Sequence, residues 1–73
     1  MTLEQLLKVI NDSTQIQLNI PFTDIYIERK TKFDLELNGE LNPYLNYKVL
    51  FVVPKLNLMN NAYLMVYIEE NKL

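Results

Sequence analysis

The stretch YKVLFVVPKLNLMNNAYLMVYIE, residues Tyr47 to Glu69, holds the densest β-branched and aromatic content of the chain and is interrupted near its middle by Asn60-Asn61. Runs of that composition bounded by turn residues form paired strands. Asn tolerates the left-handed backbone that a primed hairpin turn needs. The stretch therefore predicts two antiparallel strands joined at Asn60-Asn61, with the shorter segments packed around them. Lys48 to Val53 is apolar on both faces, the pattern of a central strand. Pro54 marks its end or a bulge, and Leu56 and Leu58 continue the hairpin. On the way back, along Ala62 to Glu69, Leu64, Val66 and Ile68 form one row and Tyr63, Met65 and Tyr67 the other.

Upstream, Thr2 to Ile10 predicts the one clear helix. Thr2 is a good N-cap and Gln5 completes a capping box. Leu3, Leu6, Leu7 and Ile10 fall on one stripe, which so short a helix must lay on a sheet to persist. Gln15 to Ile20 alternates, with Ile16, Leu18 and Ile20 on one side and Gln15, Gln17 and Asn19 on the other, as a half-buried strand does. Thr23 to Arg29 alternates again, with Ile25 and Ile27 inward and Tyr26 and Glu28 outward. Phe33, Leu35 and Leu37 alternate with Asp34 and Glu36 and suggest a third strand. Asn38-Gly39 is the strongest turn signal. Asn42-Pro43 fits an N-cap followed by proline at the first helical position, opening one turn with Tyr44, Leu45 and Tyr47. A longer irregular helix over Leu35 to Leu45 is the alternative, opposed by Gly39 and Pro43. The tail from Glu70 to Leu73 is expected to fray. The fold class is α+β: an N-terminal helix packed on an antiparallel sheet of four or five strands, in a single domain spanning residues 1–73.

Composition bounds the chemistry. A chain of 73 residues buries only about 60% of its unfolded surface. Small domains compensate with disulfides, metals or self-association. With no Cys and no His, disulfides and the usual zinc and iron sites are closed. An apolar share of 49% with a single Gly argues for a dense core or for an apolar face used in an interface, so a homo-oligomer is a live expectation. Net charge −2 is the wrong sign for a nucleic-acid binder, and only Arg29, Lys30 and Lys32 cluster. The N-terminus lacks the basic and apolar regions of a signal peptide. No run approaches the length of a membrane span. The absence of Cys fits a cytoplasmic, reducing compartment. Abundant Asn, Lys, Ile, Leu and Tyr suggest AT-rich coding, as in a low-GC bacterium or a virus of one.

Catalysis finds little to work with. Serine or cysteine nucleophiles need a base, usually His, and Ser13 is the sole serine. A phosphate cradle needs a glycine-rich loop. Asp34 with Glu36, and Glu69 with Glu70, fit solvated faces better than an acid–base pair. No enzyme activity and no cofactor are expected. The five Tyr admit two uses. They cover the sheet with their hydroxyls in water, or they form a protein-binding face, since Tyr, Met and Arg are enriched in interfaces. The candidate partner-binding residues are Tyr63, Met65 and Tyr67, with Tyr26 and Arg29 second. The exposure of the Tyr63/Met65/Tyr67 row separates the two uses.

The opening Met1-Thr2-Leu3-Glu4-Gln5-Leu6-Leu7-Lys8-Val9-Ile10-Asn11-Asp12-Ser13-Thr14 resembles the start of many short phage and prophage accessory proteins of low-GC Gram-positive bacteria. In those proteins a Met-Thr-x-x-x-Leu-Leu helix leads into a strand just after a Thr. The strand pair Val49 to Glu69, closed by an acidic dipeptide, looks like theirs, and the resemblance covers about half the chain. It implies a genomic setting in which small proteins inhibit host defence or host enzymes. The resulting expectation is a non-enzymatic protein in the host cytoplasm that binds a host protein, with no nucleic acid or membrane as partner. The alternatives are a homo-oligomeric assembly subunit and a small-ligand or nucleotide binder near Arg29 and Lys30.

Overall fold

The computed structural model describes residues 1–71, so the expectation for the tail falls partly outside the described residues. Helix α1 spans Leu3–Leu7 and opens on the predicted capping box. The Thr2 hydroxyl accepts from the Gln5 N–H at 3.3 Å, and the Gln5 carboxamide accepts from the Thr2 N–H at 3.0 Å. It is shorter than the stripe suggested: the Val9 and Ile10 N–H groups donate to the Leu6 and Leu7 carbonyls, three residues back, while Ile10 still packs against the core. Strands β1 (Gln15–Asn19) and β2 (Tyr26–Thr31) follow. Ile25, expected to point inward, lies in the loop before β2 and is exposed.

The segment Lys32–Leu37 is helix α2, not a third strand. The Thr31 hydroxyl caps it by accepting from the Asp34 N–H at 3.2 Å, Asp34 favours the positive helix start, and Lys32 pairs with Glu36 at 3.2 Å across one turn. Of its three apolar residues only Leu35 is buried; Phe33 and Leu37 are exposed. The apparent alternation was therefore a helix presenting one core residue. Gly39, at φ 68°, ends α2. Its N–H donates to the Glu36 carbonyl and the Glu40 N–H to that of Leu35, the Schellman closure that favours glycine. Asn38-Gly39 is thus a helix terminus rather than a hairpin turn. The 3-10 turn Asn42–Tyr44 has Leu41 at its N-cap position, with no side-chain cap, one residue before the predicted cap.

Strands β3 (Lys48–Leu56) and β4 (Ala62–Glu69) form the predicted antiparallel hairpin. Its connection is a five-residue loop, Asn57 to Asn61, rather than a two-residue turn. Asn57 Oδ1 accepts from the Met59 and Asn61 N–H groups, both at 2.9 Å, and Asn60 alone takes the left-handed φ, 60°. The sheet order is β2-β1-β4-β3. The α+β class and the count of four strands agree with expectation, but the sheet is mixed. Strand β1 runs parallel to β4 because the chain makes two antiparallel hairpins and joins them by a crossover through α2. Strand β3 is an edge and not, as its composition suggested, a central strand. The Asn57 N–H points in to β4, where it donates to the Asn61 carbonyl. Alternation then aims the missing Pro54 donor off the edge, where it removes no ladder bond.

Both helices lie on one face. Leu3 and Leu7 from α1, Leu35 from α2 and Leu41 form one buried cluster with Ile16, Leu18, Val66 and Ile68 from the two central strands. Lys32 ties this layer together, reaching the Ile10 carbonyl at 3.1 Å and Asp12 at 3.3 Å. Partial burial opposes its charge, yet the hydrogen bonds to Glu36 and Asp12 outweigh that and raise its pKa above the ordinary 10.5.

Candidate protein-binding face

Side chains alternate across a strand, so the face opposite the helices is set by the register. Its columns follow the sheet order. Strand β2 contributes Tyr26 and Arg29, β1 contributes Gln15, Gln17 and Asn19, β4 contributes Tyr63, Met65 and Tyr67, and β3 contributes Phe51, Val53 and Lys55. Cross-strand partners Asn19–Tyr26, Asn19–Tyr67 and Phe51–Tyr67 make one row, and Gln17–Met65 and Met65–Val53 the next. Among the described residues, no helix covers this face. All five residues singled out from the sequence stand on it together.

The Tyr63/Met65/Tyr67 row is half-buried, enclosed by its own neighbours rather than by a second layer. The Phe51 ring stacks on Tyr67 with centroids 4.4 Å apart. The Tyr67 hydroxyl lies 2.8 Å from the Met65 sulfur. The Arg29 guanidinium, brought across by a bulge in β2 opposite Gln17, sits 4.8 Å from the Tyr63 ring centre, a cation–π contact worth about 0.5–1 kcal/mol where exposed. Arg29 is in no ion pair among the described residues. Beneath this corner, Gln15 Oε1 is shut off from solvent without a donor among the described residues, a desolvation penalty of about 1–3 kcal/mol.

Two contributors escaped sequence reasoning. Phe51, 52% exposed, belongs to a strand whose sequence is apolar on both faces; Pro54 is the available sign that this strand is an edge, and nothing local marks which of its faces is open. Phe22, fully exposed, is held in the β1–β2 loop at φ 64°, a backbone state that bulky residues avoid. No local signal marks it. The loop is braced by the Thr23 hydroxyl, which donates to the Ile20 carbonyl at 2.7 Å and accepts from the Ile25 N–H at 3.1 Å. Phe22 and Asp24 rim an open depression of about 630 Å³ whose floor includes Gln17, Asn19, Tyr26 and Tyr67.

Among the described residues, no group of three His, Cys, Asp or Glu is placed to hold a metal ion, and no helix is long and apolar enough to cross a membrane. No protein-family model, curated protein or solved structure matches this chain.

Proposed function

We propose that this chain is a non-enzymatic, phage-type accessory protein that binds a host protein through the uncovered face of its sheet. The observation that carries this reading is the gathering of Tyr26, Arg29, Tyr63, Met65, Tyr67 and Phe51 on one side that no element among the described residues covers. Aromatic residues, Met and Arg are the types that concentrate binding energy at protein interfaces. Phe51 is already stacked on Tyr67 and Arg29 on Tyr63, so these four side chains have less freedom to lose on binding. The face is built in part on the two central strands, β1 and β4, whose opposite sides form the core.

The test compares the tagged chain with its Tyr63→Ala/Tyr67→Ala variant in capture from a low-GC Gram-positive lysate. The wild type is expected to retain one host protein at a fixed ratio. The variant, with an unchanged far-ultraviolet dichroism spectrum, is expected to lose at least tenfold of it, since two interface anchors each carry about 1–2 kcal/mol or more. Equal capture by both proteins would sink the assignment of the face.

A further inference from the structure

We infer that the same face also pairs with a second copy of this chain, two sheets meeting face to face about a two-fold axis that lies across the strands. The argument is self-complementarity, column by column. A half-turn about such an axis sets each strand over its own counterpart with the rows reversed. Met65 then meets Tyr67 of the second copy, Val53 meets Phe51, and Gln17 meets Asn19. Apolar groups cover apolar groups, and amides, which both donate and accept, face amides. Arg29 comes over the end of the face that carries Tyr26, Asp24 and Glu69. None of Arg29, Asp24 and Glu69 is in an ion pair among the described residues. The one like-charge approach, Lys55 over Lys48, falls at the rim, where solvent screens it.

Side-by-side pairing through β3, one of the two edges of the sheet, is obstructed. Pro54 offers no donor there, Leu50 bulges, and the N-terminus covers the start of the strand through the Thr2–Lys48 bridge and the Val49 N–H donating to the Met1 carbonyl at 2.9 Å. These are the devices that blunt an edge.

Area sets the strength. Four strands at about 4.8 Å spacing, roughly 25 Å long, offer about 500 Å² per copy. A total near 1,000 Å² lies at the low end for specific interfaces, so dissociation is expected on the order of 10–100 µM.

This inference rests on the reading of the sheet face as a protein-binding surface. Sedimentation velocity from about 5 to 500 µM, spanning that range, is expected to show a reversible monomer–dimer shift. The chain has no Cys, so single-cysteine variants report the geometry. Stacked sheets lie ~10 Å apart, which puts the two Gln17 positions about 12 Å from each other. Gln17→Cys should be joined by a short bismaleimide, and Val9→Cys, exposed beside the helix layer, should not. A monomer throughout the range overturns the dimer, as does cross-linking at Val9 but not Gln17. Either result leaves the face open to a host protein and the capture comparison intact. Conversely, a dimer with undiminished capture by the Tyr63→Ala/Tyr67→Ala variant removes the host-binding reading alone.

Discussion

Arg29 and Phe22 show how far single side chains depart from what their neighbours in sequence suggest. Arg29 belongs to a basic cluster with Lys30 and Lys32, yet the three separate completely. Lys30 pairs with Glu40 at 2.9 Å, Lys32 binds Asp12 and Glu36, and Arg29 crosses the open face to Tyr63. The cluster is therefore no single anion site. Phe22 combines a left-handed backbone with full exposure, so the fold carries its strain without gaining buried area. That strain is about 1–2 kcal/mol for a residue with a Cβ, and glycine returns part of it as unfolded-state entropy. Phe22→Gly is expected to stabilise the chain by about 0.5–1 kcal/mol, seen as a higher urea midpoint at unchanged slope. A lower midpoint would mean that the ring makes contacts that its exposure does not reveal.

Helix α2 is where pattern reading and structure part. Alternation at Phe33, Leu35 and Leu37 suits a strand, but Thr31 and Asp34 form the helix-opening pattern of a hydroxyl three residues before an acid, and Gly39 supplies the closing one. Those local signals won: the capped helix buries Leu35 in the core and leaves Phe33 and Leu37, which a strand would have set on the same face, exposed. The two assignments differ in mutational response. Leu35→Ala should lose about 2–5 kcal/mol, while Leu37→Ala, at an exposed site, should stay within about 0.5 kcal/mol. Comparable losses in chemical denaturation would restore the strand. The capping box of α1 and the two rows of β4 were legible because each is written within one turn or one alternating run.

Across the molecule, the sheet is finished on one side and bare on the other. Among the described residues the buried core lies on the helix side, whereas Tyr26 and Phe51 remain exposed on the other face, and Leu56, Leu58 and Met59 at the hairpin end. A chain with that much exposed apolar surface needs its edge closed against open-ended pairing. Pro54 serves that end on β3. Pro54→Val would restore an N–H to the outer edge of a long apolar strand, and such edges template further strands. The variant is expected to gain concentration-dependent turbidity and species larger than a dimer in sedimentation. If it behaves as the wild type does, the bulge at Leu50 and the N-terminal bridge protect the edge without the proline.

The α+β class, the capped first helix, the hairpin and the division of β4 into an aliphatic and an aromatic row were determined by the sequence itself. Each follows from propensity, capping or a period of two, interactions that close within a few residues. Strand order, the parallel β1–β4 pairing, the edge position of β3 and the side on which α2 packs were decided only by the tertiary structure. These depend on contacts between segments tens of residues apart, where several arrangements bury similar apolar area and the crossover through α2 selects among them. For the same reason the aromatic row could be read from β4 alone. That no layer covers it, and that Phe51, Tyr26 and Arg29 join it, emerged only when four separate strands were laid in register.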